Sequence, residues 1–106
     1  MSGSRTIIGE GERLDNVHPG DILRDDFLIG GDIALDEVAS AAGIDDAQLA
    51  AILTGDRAID AETDLRLARY FGMSEGFFLG LQDDFDLEEV RRSKGPELDR
   101  IVRRAA

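Results

Sequence analysis

Between Leu35 and Ile59, two short apolar helix faces are separated by one glycine, and nothing else in the chain restricts its fold as much. Leu35, Val38, Ala39 and Ala42 recur at i, i+3, i+4 and i+7, the spacing of a single buried helix face. Gly43 breaks that pattern, and Ile44 supplies the apolar plug of a short turn. A second helix opens at Asp45 or Asp46, either of which can accept hydrogen bonds from the free first-turn N–H groups. It buries Leu49, Ile52 and Leu53 and stops at Gly55. Two short helices joined by a Gly-containing turn of this length form a helix-turn-helix. Periodicity alone fits any other helix pair of a small bundle equally well.

The flanking segments extend the helical pattern. Residues 1–15 are rich in Gly, Ser and charge and read as a flexible segment, in which Thr6-Ile7-Ile8 can pair as a short edge strand or stay disordered. A first helix starts at His18-Pro19, with Asp21 in its first turn against the positive end of the helix dipole. Ile22, Leu23 and Phe27 face inward, and Gly30-Gly31 ends it. After the central pair, Asp60 caps a fourth helix that buries Leu65, Ala68 and Phe71 and stops at Gly72. Ser74 caps a fifth, with Phe77, Phe78, Leu81 and Phe85 on one stripe. Asp86–Arg92 continues that helix or forms a short sixth turn; Gly95-Pro96 punctuates, and Leu98, Ile101 and Val102 suit a last amphipathic turn. The expected fold is all-α: a five-helix domain over 16–92 with a short helical extension in a basic tail, 93–106.

Composition narrows the function classes. A chain of 106 residues is one domain with a small core. No apolar run approaches the roughly 18–20 residues of a membrane span, and Met1–Glu12 lacks the apolar stretch of a signal peptide. The chain has no cysteine, which excludes thiolate metal sites and suits a reducing cytoplasm, the expected compartment. Its net charge of −11 is opposite in sign to the usual footprint of a nucleic-acid binder.

Enzyme chemistry is nearly absent. His18, the one histidine, precedes a helix-opening proline and reads as a capping or packing residue. There is no H-E-x-x-H, nucleophile elbow or phosphate loop. Asp83, Asp84, Asp86 and Glu88 lack the spacing and central glycine of a calcium loop and read as a solvated face. Gly9-Glu10-Gly11 and Gly30-Gly31 are loop glycines. No catalytic residue, metal or cofactor is expected.

The blocks HPGDILRDDFL (His18–Leu28), EVASAAGI (Glu37–Ile44), GDRAI (Gly55–Ile59), DLRLARYFGMSEGFFLGLQ (Asp64–Gln82) and FDLEEVR (Phe85–Arg91) occur in a specific order. On these residues the chain resembles the lambda-repressor/Cro class of helix-turn-helix domains and, more narrowly, the HigA-type (VapI-like) antitoxins, over about Asn16 to Arg92. The resemblance implies a dimeric DNA-binding regulator, the antitoxin of a type II toxin–antitoxin module, that neutralises a small basic RNase-like toxin and represses its own operon. It departs from the family pattern at Asp56, where a basic residue is common, and at Ala34-Leu35, where Ser-Gln usually opens the first helix of the pair.

In a helix-turn-helix the second helix enters the major groove. Its outward residues here are Asp46, Ala47, Gln48, Ala51 and Thr54, followed by Arg57. Gln48 suits the paired bond to adenine, the alanines contact with a thymine methyl, and Thr54 and Arg57 a phosphate. Arg66 and Arg69 lie on the next helix, where a surface network with Asp64 is the alternative to a phosphate contact. Yet Asp32–Asp64 holds nine carboxylates and one base, Arg57, a net of −8 that repels phosphates. Half of the twelve basic residues lie instead in Arg91, Arg92, Lys94, Arg100, Arg103 and Arg104, a patch suited to DNA, to the acidic body or to a partner. An acidic body suits a basic toxin, which it would be steered to and would mask. The expected partners are therefore a basic toxin, weakly bound operator DNA and a second copy joined through Phe77, Phe78, Leu81 and Phe85, with no membrane. The alternative is an acidic helix-turn-helix that has lost DNA binding and serves as a protein-interaction module.

Overall fold

Helix α1 covers Pro19–Ile22 and winds on as a π-helical stretch, Leu23–Ile29, in a computed structural model that describes residues 15–105. The expected strand at Thr6–Ile8 and almost all of the N-terminal segment lie outside those residues. His18 caps α1 as expected: its backbone is extended, and its Nδ1 accepts the Gly20 N–H at 2.9 Å. The π winding is marked by the Gly30 N–H, which donates to the Asp25 carbonyl five residues back. Winding of this kind aligns residues five apart, so Leu23 and Leu28 are both buried while Ile22 is only half-buried. Phe27 then wedges between Phe71 and Phe78, with ring centroids 5.0 and 5.1 Å away.

Helices α2 (Leu35–Ala42) and α3 (Asp46–Leu53) form the expected helix-turn-helix. Gly43 takes φ 72°, a conformation that a side chain would strain, and Ile44 turns back so that its N–H reaches the Ala39 carbonyl at 2.9 Å. Ile44 is buried beside Val38, Ala39, Leu49, Ile52 and Leu53. At the far end of α3, the N–H groups of Gly55 and Asp56 close onto Ile52 and Ala51. Helix α1 crosses α3 where Gly20 lies against the Ile52 carbonyl, closer than any side chain would permit.

Helix α4 (Ala61–Phe71) corrects one expectation. Its inward face is Thr63, Asp64, Leu67 and Ala68, with Leu65 39% exposed. Asp64 is the reason: it is 2% exposed, and its two carboxylate oxygens accept the Gly76 and Leu79 N–H groups at 2.6 and 2.8 Å. That carboxylate, not Ser74, caps α5, whose own N-cap residue is Gly76. A surface network of Asp64, Arg66 and Arg69 therefore does not form; Arg66 pairs with Glu62 and Arg69 with Glu75.

Helix α5 (Phe77–Leu98) is one unbroken element of 22 residues that carries Pro96 in its last turn, so Gly95-Pro96 does not punctuate it. Ile101 and Val102 follow outside the helix, 72% and 88% exposed, rather than in an amphipathic turn. Buried Gln82 ties α5 to the α3–α4 connection, its Oε1 accepting the Ile59 N–H at 2.9 Å. Among the described residues there are five helices and no strand, and no helix is long and apolar enough to cross a membrane.

Candidate nucleic-acid interface

The surface of α3 is set by a cap at each end. Asp45 accepts the N–H groups of Ala47 and Gln48 at 3.1 and 3.3 Å, which fixes the first turn that faces outward. At the other end, Arg24 of α1 donates to the Leu53 carbonyl at 3.3 Å while it pairs with Asp21 and Asp25. Hydrogen bonding to Asp25, followed by the charges of Asp25 and Asp21, raises the Arg24 pKa further. With Leu49, Ile52 and Leu53 turned inward, Asp46 and Ala47 are left exposed, and Gln48 and Ala51 half-buried. Thr54 and Arg57 stand exposed just beyond.

Two of the polar groups expected to meet DNA are bonded within the chain. Gln48 Nε2 donates to Thr63 Oγ1 at 3.1 Å, across to α4. Thr63 in turn serves Asp60, the α4 cap, through its backbone N–H at 2.8 Å. Hydrogen bonds from the Thr63 hydroxyl and N–H hold the Asp60 carboxyl below the ordinary aspartate range. Thr63 thus holds Asp60 through its backbone N–H and accepts the Gln48 amide at its hydroxyl oxygen. To read an adenine with both amide atoms, Gln48 must release Thr63. The Thr54 hydroxyl lies 2.9 Å from an Asp56 carboxylate oxygen and 3.1 Å from the Ala51 carbonyl and shares its one proton between them, so a carboxylate stands where a phosphate would approach.

Arg57 is different. Of the four arginines in residues 16–90, Arg24, Arg66 and Arg69 are held in close ion pairs; among the described residues Arg57 makes none within 4 Å, although its charge is near enough to Asp60 to help lower that carboxyl's pKa. It borders a cleft of about 150 Å³ together with Gly43, Ile44, Gln48, Asp60, Glu62, Thr63 and Arg66. Arg66 is committed there, donating to the Ala42 carbonyl at 3.2 Å and closing the end of α2. The cleft is too small for an organic cofactor. No group of three or more ligating side chains able to hold a metal occurs among the described residues.

No family model matches the chain, but individual relatives do. Virulence-associated protein I of Dichelobacter nodosus is 33% identical over 78 residues, which covers 74% of this chain and 72% of that one. The chain belongs to the HigA/VapI family of helix-turn-helix antitoxins. An HTH-type regulator of Escherichia coli K12, YbaQ, is 32% identical over 71% of this chain and 66% of its own. The Pseudomonas aeruginosa antitoxin HigA, solved with the higBA promoter, superposes with TM-score 0.78 at 30% identity, covering 87% of this chain and all of that one. PA4674 of the same organism, solved with its 28-bp operator DNA, gives 0.79 at 31% identity over 86% of this chain and all of its own. YbaQ is an HTH-type transcriptional regulator and HigA an antitoxin.

In this HigA-family chain the four residues expected to join two copies are largely spent inside one. Phe78 is fully buried and offers no surface, and Phe85 lies edge-on to the His18 ring at 4.8 Å. Leu81 is half-buried against the core, and Phe77, 37% exposed, packs edge-on to Phe78 at 5.1 Å. Sequence reasoning missed Thr63 as the anchor of Gln48. The Asp-x-x-Thr spacing from Asp60 to Thr63 marks the α4 cap, but nothing local marks the reach from α3.

Proposed function

We propose that the chain is the antitoxin of a toxin–antitoxin pair: it binds a basic toxin through its acidic surface and represses its own operon through α3. The observation that carries the DNA half is a complete helix-turn-helix with an outward α3 face, in a fold shared with relatives solved on promoter and operator DNA. The toxin half is supported by charge. Nine carboxylates against one arginine over Asp32–Asp64 form a field that draws in a basic protein and speeds encounter at low ionic strength. A dimer supplies two α3 helices for two half-sites.

The same charge favours a second reading, an interaction module without operator binding, because Gln48 and Thr54 are already bonded within the chain. The two readings separate by mutation. On the operator, Arg57→Ala removes the one cation beside α3 that no close ion pair holds and weakens all sequences alike, whereas Gln48→Ala costs about 1–3 kcal/mol at one base position. Fluorescence anisotropy on the chain's own promoter and on variants of it measures both. If nothing binds at low salt with toxin present, the module reading stands; operator binding that neither substitution changes would mean that α3 is not the reading element.

A further inference from the structure

Gln48 and Thr63 each stand in the first turn of a capped helix. Asp45 holds the Gln48 N–H at 3.3 Å at the start of α3, and Asp60 holds the Thr63 N–H at 2.8 Å at the start of α4. The bond of 3.1 Å between Gln48 Nε2 and Thr63 Oγ1 therefore joins two fixed points. Thr63 is 2% exposed, so the amide nitrogen is turned into the molecule. An amide's nitrogen and oxygen diverge from one carbon, and Oε1 is left without a hydrogen-bond donor among the described residues. No other side chain on the outward face of α3 offers a free donor. Ala47 and Ala51 carry no polar side-chain group, Asp46 is a carboxylate, and the one proton of Thr54 is shared between Asp56 and the Ala51 carbonyl.

We propose that Thr63 is a positioning residue for operator recognition: it keeps the Gln48 nitrogen out of the groove, so that Gln48 reads a base amino group through Oε1 alone. The assignment rests on the repressor reading of α3 and names what that face selects. In the major groove adenine N6 and cytosine N4 donate, whereas guanine O6 and thymine O4 accept. A lone acceptor takes adenine and cytosine alike and rejects guanine and thymine. The paired bond to adenine, through both amide atoms, brings Gln48 no advantage here. It trades the bond to Thr63 for a bond to adenine N7, one for one, and leaves the Thr63 hydroxyl oxygen without its donor at a site closed to water.

Fluorescence anisotropy with the full chain and duplexes of its own promoter, one base pair changed at a time, tests the assignment. Gln48→Ala marks the position concerned, as the one at which the preference among the four bases flattens. There the wild-type chain binds adenine and cytosine equally, and guanine and thymine several-fold more weakly. In place of adenine, 7-deazaadenine, which lacks only the N7 acceptor, binds as well as adenine, and unsubstituted purine, which lacks only the amino group, binds several-fold more weakly. Thr63→Val keeps the backbone N–H for Asp60 and withdraws the hydroxyl oxygen. The released amide then prefers adenine to cytosine, and 7-deazaadenine loses that gain. Thr63→Ser returns the wild-type pattern. Circular dichroism checks the fold of each variant, and the base-analogue series on the wild-type chain stands whether or not Thr63→Val folds. A wild-type chain that prefers adenine to cytosine and suffers from 7-deazaadenine overturns the proposal and leaves the repressor reading intact. So does a preference for guanine or thymine, a pattern that Thr63→Val does not change, or a Gln48→Ala chain that flattens no position. No binding to any duplex at low salt overturns both.

Discussion

Gly20→Ala should cost the fold about 2 kcal/mol or more, although alanine is the better helix former. The propensity gain is at most about 1 kcal/mol. Against it, the new Cβ runs into the Ile52 carbonyl and comes within 3.0 Å of His18 Nδ1. Overpacking a tight contact costs about 1–3 kcal/mol and more where the obstacle cannot turn aside. Backbone cannot turn aside. The Ile52 carbonyl also receives the Gly55 N–H at 3.1 Å, so moving it disturbs the end of α3 as well as its packing on α1. Urea unfolding followed by circular dichroism reads the change as a lower midpoint at unchanged slope. An unchanged or higher midpoint would mean that α1 and α3 are not in contact at Gly20.

Asp64→Ala should be more damaging, at about 2–4 kcal/mol. Loss of an N-terminal cap costs about 1 kcal/mol in general. Here one side chain serves two backbone donors, Gly76 and Leu79, from a site 2% exposed to solvent. Each donor left unsatisfied adds about 1–3 kcal/mol, discounted because the helix end is partly open to water. Asp64→Asn keeps the volume and one acceptor oxygen and should fall between wild type and alanine. Thermal melts of the three proteins check this order, and an alanine variant that melts with wild type would remove Asp64 as the link between α4 and α5.

Capping residues also separate what a sequence can reveal from what it cannot. His18, Asp45 and Asp60 cap helices that begin within three residues of them, so their roles follow from spacing alone. The stops at Gly43, Gly55 and Gly72 are legible for the same reason. Asp64 caps a helix 12 residues away, and in one dimension a buried aspartate in the inward row of α4 looks like a surface charge, so spacing draws the face through Leu65 instead. Gln82 reaches Ile59 across 23 residues and leaves no local mark either. The π winding of Leu23–Ile29 shifts the buried set from Ile22 to Leu28, a change that a 3.6-residue template cannot express. In the candidate interface, the identity of the outward α3 residues is legible from Leu49, Ile52 and Leu53. The Gln48–Thr63 bond is not, because it depends on how α4 is set against α3.

Under the proposed function, this acidic helix-turn-helix reads its operator through few phosphate contacts and leaves most of its charge for a basic toxin. The salt dependence of operator affinity tests it most directly, measured by fluorescence anisotropy at several salt concentrations, with the chain free and with toxin bound. Each neutralised phosphate contributes about −0.9 to the slope of log affinity against log salt. One arginine beside α3 free of close ion pairs in each copy of a dimer then predicts a slope near −2 for the free chain. A slope of about −6 or steeper would show a basic footprint that this surface does not have, and the absence of any binding at low salt would contradict operator recognition itself.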